Sequence, residues 1–297
     1  MGLHVFTATR ARSLLLAASL GAPALAAGMS DADCLGCHGR EAGQLELADG
    51  GRVALSVDEA ALRASVHGGA AGCTDCHADK VDYPHRAGGP PTRQALVRDA
   101  TASCANCHDA PAAEYARGGH GRRFASGDPD APACSDCHGS HAIGRAASLA
   151  LEGAEACVRC HGDAARMKRH GLDADVVSTW RQDFHGMAAT LQRKHGIAPG
   201  GRRAATCVDC HGAHGALPKS DPASPVAPAN QLATCRRCHP DADARFPAAF
   251  LGHRPPTWQS AAIVRGVQLF YRAMIPFMVV GLVLQILLHV WRMAVKR

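Results

Sequence analysis

The chain has few of the side chains that normally fill a protein core. Phe, Trp and Tyr make up 4% of its 297 residues, and much of its 47% hydrophobic content is alanine and cysteine. A chain so poor in Phe, Leu and Ile cannot easily bury enough apolar surface for an ordinary core of this size. We therefore expect something other than side chains to fill the interior.

No cysteine lies outside a C-x-x-C pair, and each of the seven pairs is followed at once by histidine. This pattern is typical of c-type haem attachment, in which two thiols bond to one porphyrin and the adjacent histidine ligates the iron. Zinc ribbons and disulfide frameworks also use paired cysteines, but neither requires a histidine after every pair. The predicted thioether cysteines are Cys34, Cys37, Cys73, Cys76, Cys104, Cys107, Cys134, Cys137, Cys157, Cys160, Cys207, Cys210, Cys235 and Cys238. The predicted proximal iron ligands are His38, His77, His108, His138, His161, His211 and His239.

Long apolar runs are absent except near the C-terminus, and the first residues have the three-part pattern of an export signal. Arg10 and Arg12 precede a short apolar run over 13–20, and an A-x-A cleavage site follows at 24–26. The run is too short to span a bilayer and there is no twin-arginine pair. Residues 1–26 are therefore predicted to be a cleaved secretory signal peptide.

The C-terminal apolar run covers 273–291 without a charge and is long enough to cross a membrane. Arg292, Lys296 and Arg297 follow it, which predicts a cytoplasmic C-terminus. The amphipathic stretch 260–272 is expected to lie at the membrane surface and lead into the span. The chain is thus predicted to lie on the periplasmic side of the bacterial inner membrane as a single-pass protein. The alternative for the run 273–291 is a helix buried in the core of the protein.

The predicted fold is mainly α with much irregular chain, built around stacked haems. Glycine and proline are abundant, with 31 and 17 residues, and no convincing alternating strand pattern appears. Helices are expected over 57–65 and 176–193. The motif itself is the only strong repeat, at intervals from 23 residues (Cys134 to Cys157) to 50 (Cys157 to Cys207), which is too irregular for a solenoid. The predicted domains are a heptahaem domain at 27–258, with possible lobes 27–150 and 151–258, and a juxtamembrane segment with a transmembrane anchor at 259–297.

Nine histidines outside the motifs are available as distal ligands in the mature soluble part. Seven are predicted to bind iron, namely His67, His85, His120, His141, His185, His214 and His253. His170 and His195 lie in basic contexts and are read as surface residues or partners of haem propionates. Met187, beside His185, is the alternative ligand type to consider. Bis-histidine ligation predicts low-potential haems suited to electron transfer.

The basic charge does not indicate nucleic-acid binding. The formal net charge is +6 and the pI is about 8.7. Haem propionates add negative charge that much of this surplus would compensate.

The region from Cys157 to the end resembles the membrane-anchored multihaem cytochromes c of the cytochrome c3 and tetrahaem-type respiratory superfamily. The resembling segments are DFHG at 183–186, CVDCHGAH at 207–214, LPKSDPAS at 217–224, TCRRCH at 234–239 and HVWR at 289–292. The resemblance is closest to members that pair with a membrane cytochrome b. It implies electron exchange between that quinone-linked subunit and periplasmic or outer-membrane acceptors in anaerobic respiration. It also leaves two roles open for His289, in a membrane haem b or quinone site or simply at the interface.

A second function remains as an alternative. A multihaem reductase or oxidase of a small nitrogen or sulfur oxyanion needs one haem with an open face. Multihaem nitrite reductases commonly mark that haem with lysine in place of the motif histidine, whereas all seven motifs here end in histidine. The residues therefore favour an electron carrier over a catalyst.

The motif count gives a direct prediction. The purified protein should contain seven haems per chain, measured by the pyridine haemochrome assay against protein concentration. Replacing Cys157 and Cys160 together with alanine should lower the count to six, because one porphyrin loses both thioether bonds. A wild-type count below seven would contradict the prediction.

Overall fold

A computed structural model describes residues 29–39, 42–85, 91–196, 203–250 and 252–295. The predicted signal peptide, Lys296 and Arg297 lie outside these residues. The helices are α1 Asp31–His38, α2 Glu59–Ala64, α3 Cys73–Cys76, α4 Arg93–Ala105, α5 Asp109–Arg117, α6 Gly119–Ala125, α7 Cys134–His138, α8 Ala146–His161, α9 Ala164–Arg169, α10 Val176–Gln182, α11 Phe184–His195, α12 Cys207–His211, α13 Gln231–Arg236 and α14 Trp258–Val295. The strands are β1 Gln44–Glu46 and β2 Arg52–Ala54, and a 3₁₀ helix covers Phe246–Ala249.

The described chain is mostly helical with much irregular backbone, as the sequence predicts. Its buried apolar side chains are few and mostly small: Leu47, Ala133, Ala154, Met167, Trp180, Ala227 and Ala242. Side-chain burial of this extent is a small part of what a domain of this length normally has. The short helices are therefore held largely by caps, backbone hydrogen bonds and side-chain pairs.

The helix predicted over 57–65 is present as α2, with Asp58 as its N-cap. The single helix predicted over 176–193 is wrong, because α10 and α11 are separate. Asp183 lies between them with an extended backbone, and its side chain accepts a hydrogen bond from Gly186 N–H at 2.8 Å. An aspartate that caps a new helix stabilises a break that helical periodicity alone does not indicate.

A short hairpin also corrects the expectation that strands are absent. β1 and β2 pair antiparallel, with Leu45 opposite Val53. The turn between them contains Gly50 at φ 80°, a conformation that favours glycine. Strands of three residues are too short to produce a detectable alternating pattern, which explains why the sequence does not reveal them.

The seven motifs fall into two structural classes that alternate along the chain. Motifs one, three, five and seven lie at the C-terminal ends of longer helices, whereas motifs two, four and six form short helices that begin at their first cysteine. In the second class, Asp75, Asp136 and Asp209 accept the backbone N–H three residues earlier at 2.7–2.8 Å. The structure thus has a repeat of two motifs. Motifs one and two form the first repeat, motifs three and four the second, motifs five and six the third, and motif seven begins the fourth. The irregular spacing of the motifs in the sequence does not reveal this period.

Each full repeat carries a histidine–glycine pair between its two motifs, directly after a helix. A Cβ on Gly68, Gly121 or Gly186 would lie 1.9–2.2 Å from a backbone carbonyl oxygen of that preceding helix. Only glycine allows this approach, which fixes the preceding histidine against the end of the helix. The group that leaves no room for a side chain at each glycine is thus a backbone carbonyl of the preceding helix.

The motif-bearing helices contact one another in chain order. α1 packs on α3, α3 on α4, α4 on α7, α7 on α8 and α8 on α12. The seventh motif joins the sixth through Arg237, whose guanidinium donates to the Asp209 carbonyl at 2.9 Å. The motifs are therefore arranged as a linear series, with the first at one end and the seventh at the other.

The C-terminal helix α14 follows the last repeat. Its most apolar window has a mean hydropathy of 2.3, so the helix is long and apolar enough to span a membrane. None of that window is buried against the rest of the described chain. The alternative of a buried core helix is therefore wrong. The stretch 260–272 is continuous with this helix, apart from a non-helical residue at Ala261, and does not form a separate element.

The histidine–glycine geometry predicts an effect of adding one methyl group. Gly121→Ala should destabilise the protein by about 1–3 kcal/mol, because its Cβ would lie 2.0 Å from the Tyr115 carbonyl oxygen. Thermal unfolding of the haem-loaded protein measures this change. Gly144→Ala is the control, since a Cβ there meets nothing within 4 Å. Equal stabilities of the two variants would contradict the prediction.

Candidate haem-binding site

Every motif histidine lies opposite a histidine from elsewhere in the chain. All seven partners are residues predicted from the sequence as distal ligands. The pairs and their ring-centroid distances are His38–His85 (6.2 Å), His67–His108 (5.9 Å), His77–His141 (6.2 Å), His120–His161 (6.1 Å), His138–His214 (6.1 Å), His185–His239 (6.2 Å) and His211–His253 (6.1 Å).

These distances fit a haem iron between the two rings of each pair. A histidine nitrogen lies about 2.0 Å from a bound first-row metal ion, so two nitrogens on opposite sides of one iron are roughly 4 Å apart. Adding about 1 Å from each nitrogen to its ring centroid gives a centroid separation of roughly 6 Å. The observed range of 5.9–6.2 Å is therefore that of bis-histidine ligation.

Three of the pairs run forward from one repeat to the next. The histidines that precede the close-packed glycines, His67, His120 and His185, lie opposite His108, His161 and His239 respectively. In each case the partner belongs to the first motif of the following repeat. A forward pair therefore joins two repeats that are consecutive in the chain.

Three other pairs run backward. His141 and His214, three residues after a motif histidine, lie opposite His77 and His138 in the preceding repeat. His253 likewise lies opposite His211. The first motif is the exception, because His38 pairs with His85 from its own repeat.

The ring orientation of the first pair is set by backbone carbonyls. His38 Nδ1 lies 2.7 Å from the Leu55 carbonyl oxygen, and His85 Nδ1 lies 2.8 Å from that of Asp82. Because a carbonyl only accepts, each Nδ1 must carry the proton and donate it. The lone pair of each ring then lies on Nε2, as a ligating histidine requires.

Burial favours the neutral form of several paired histidines. Desolvation lowers the pKa of six of them: His120, His138, His141, His161, His211 and His253. A neutral imidazole is the form that binds a metal ion.

The two motifs of each full repeat place their first cysteines next to each other. Cys34 lies beside Cys73, Cys104 beside Cys134 and Cys157 beside Cys207. Burial raises the pKa of Cys73 to about 12, with a further contribution from the Asp31 carboxylate.

Arginines inside the motifs connect one repeat to the next. Arg159 in the fifth motif donates to the Asp136 carbonyl of the fourth at 2.5 Å. Arg237 makes the equivalent bond to Asp209. Each of these aspartates also caps its own short helix through the side chain. Sequence reasoning missed these residues, although aspartate at the third position of motifs two, four and six is a visible signal.

His170 and His195 are not paired with motif histidines in the described structure. His170 Nδ1 lies 2.9 Å from Arg123 Nη1, so it accepts, and Nε2 then donates to Asp130 at 3.1 Å. Asp130 also accepts two hydrogen bonds from Arg169. His195 is exposed at the end of α11. Met187, half exposed, is not the partner of any motif histidine, since all seven face another histidine.

The comparison with protein families agrees with the motif chemistry. A family model described as the doubled CXXCH motif matches residues 124–166, which contain the fourth and fifth motifs. The match indicates covalent c-type haem binding and a multihaem c-type cytochrome. No curated protein and no solved structure matches the chain.

The Asp130 cluster predicts a stabilising contact between the second and third repeats. The Arg169 hydrogen bonds hold the pKa of Asp130 below its usual range, so the carboxylate is charged at neutral pH. Asp130→Asn should lower the melting temperature at pH 7 by roughly 2–4 °C, because its bonds to Arg169 and His170 weaken. Asp241→Asn, at an exposed position, is the control. A loss of the same size in both variants would argue against the contact.

Proposed function

We propose that this protein is a periplasmic, membrane-anchored electron carrier with seven covalently bound haems. The observation that carries the proposal is that every motif histidine faces a second histidine at 5.9–6.2 Å. An iron held from both sides by imidazole has no open face for a substrate. The alternative of an oxyanion reductase or oxidase requires such a face, so bis-histidine ligation of all seven irons supports the carrier over the enzyme.

The chain's own residues hold and space the redox centres. A c-type haem supplies one-electron ferric/ferrous chemistry. The fourteen cysteines anchor seven porphyrins, and the paired histidines orient them. Because consecutive motifs contact one another, electrons are proposed to pass from each haem to its neighbour along the series.

The membrane end of this series is proposed to be the end at the seventh motif. His253 pairs with His211 and lies five residues before the start of α14. His239 packs against Phe246 at 5.0 Å in the same region. Electrons would enter here from a membrane cytochrome b or another quinone-linked subunit. His289, exposed on α14 near its end, is the residue through which such a subunit could contact the helix.

The opposite end of the series differs in charge. The described residues of 29–85 carry nine acidic and three basic side chains: Asp31, Asp33, Glu46, Asp49, Asp58, Glu59, Asp75, Asp79 and Asp82 against Arg52, Arg63 and Lys80. Between 91 and 250 the described acidic and basic side chains nearly balance. A periplasmic redox partner with a positively charged surface would be attracted to the first repeat.

Electron paramagnetic resonance tests the proposal. The oxidised, detergent-purified protein should show only low-spin ferric signals, integrating to seven haems per chain, because each iron has two imidazole ligands. His120→Ala should convert one haem in seven to high spin. The affected haem belongs to the fifth motif, since His120 faces His161 across the repeat boundary.

His195→Ala is the matched control and should keep all haems low-spin, because His195 faces no motif histidine. A stoichiometric high-spin haem in the wild-type protein would contradict the carrier proposal and support the oxyanion enzyme. An unchanged spectrum in His120→Ala would instead reject the assignment of that ligand.

A further inference from the structure

One paired histidine has a carboxylate on its outer side. Glu114 on α5 places Oε2 3.6 Å from His214 Nδ1. The His214 ring faces His138 at 6.1 Å, with the two ring planes only 21° apart. With Nε2 as the ligating nitrogen, Nδ1 carries a proton and points it towards a negative charge.

The position of Glu114 is fixed by the backbone around His214. Its other oxygen, Oε1, accepts the Gly215 N–H at 3.2 Å. The Gly119 N–H donates to the Ala216 carbonyl at 2.8 Å and holds this segment against α5 and α6. A Cβ on Gly215 would lie 3.0 Å from the Glu114 side chain, so glycine leaves room for the carboxylate.

The environment of His214 differs from that of the other paired histidines. The Nδ1 atoms of His38 and His85 donate to neutral backbone carbonyls. Within the part of the chain that the structure describes, no other paired histidine has a carboxylate oxygen within 4.0 Å of its ring nitrogens. Glu114 therefore distinguishes the fourth haem from its neighbours.

We infer that Glu114 is a positioning residue that lowers the reduction potential of the haem held by His138 and His214. This inference rests on the proposed function. A negative charge beside Nδ1–H orients the ring and increases electron donation from the imidazole, which stabilises ferric over ferrous iron. The fourth haem is the middle one of the seven, so its reduction potential sets the free energy of electron transfer between the two halves of the series.

The charge should have a measurable effect although Glu114 is 49% exposed. An effective dielectric constant of about 20, with a further reduction for solvent screening, gives on the order of a tenfold change in the ferric/ferrous equilibrium. For a one-electron couple, tenfold corresponds to about 59 mV. A shift of this size is resolvable in a potentiometric titration.

Glu114→Gln tests the inference, because glutamine keeps the size of the side chain and an oxygen that can accept the Gly215 N–H. Optical redox titration of the full-length haem-loaded variant should show one of seven one-electron components at higher potential by about 59 mV. Electron paramagnetic resonance should show one low-spin signal with altered g values. The haem count and the remaining six components should stay unchanged.

Glu59→Gln is the matched control, since Glu59 is 46% exposed and pairs with Arg63 instead of a paired histidine. A titration of Glu114→Gln that superimposes on the wild type, or on Glu59→Gln, would overturn the inference while seven low-spin haems still supported the proposed function. A high-spin haem in the wild-type protein would reject the proposed function itself. Glu114→Asp, which keeps the charge, should restore a potential closer to that of the wild type.

Discussion

The structure depends on the pairing of histidines across repeats. In six of the seven pairs, the two facing histidines come from different repeats. The second and third repeats each supply one histidine to the following repeat and one to the preceding repeat, whereas the first supplies only His67 forward and the last only His253 backward. With iron between the rings, a haem would be held covalently by one repeat and ligated by its neighbour. A single repeat then cannot complete its own ligand set, and neighbouring repeats must fold together. This requirement also explains how a chain with so few buried apolar side chains can adopt a defined structure.

Local devices place the histidines with little help from a side-chain core. The glycine after each forward histidine allows contact with a helix carbonyl, and the aspartate in each even-numbered motif caps a short helix. Arg159 and Arg237 then tie the odd-numbered motif to the aspartate backbone of the previous one. The glycine and the aspartate recur in the first three repeats, and the arginine contact joins the second repeat to the third and the third to the fourth. Their recurrence produces a linear series whose last member lies next to the apolar helix α14.

This arrangement relates the architecture to the proposed electron transfer. A linear series has two ends with different surroundings, an apolar helix beside the seventh motif and an excess of carboxylates around the first. Between the two ends, Glu114 places a negative charge beside the histidine pair of the fourth motif, which is the middle one of the seven. The order of the motifs along the series is the order in the chain, because the histidine pairs between repeats join only consecutive repeats.

The sequence by itself determined the chemistry of attachment and the shape of the fold in outline. The seven C-x-x-C-H motifs are local patterns that need no tertiary information, and α14 follows from an uninterrupted apolar run. The sequence contexts of the nine remaining histidines, two of which lie among basic residues, also selected the seven that face the motif histidines. Only the tertiary structure decided which histidine faces which, because His138 and His214 are far apart in the chain and nothing local links them. The hairpin, the break at Asp183 and the contact of Glu114 with His214 escaped sequence reasoning for a similar reason. Each depends on short-range geometry or on packing between distant segments, which hydrophobic periodicity does not record.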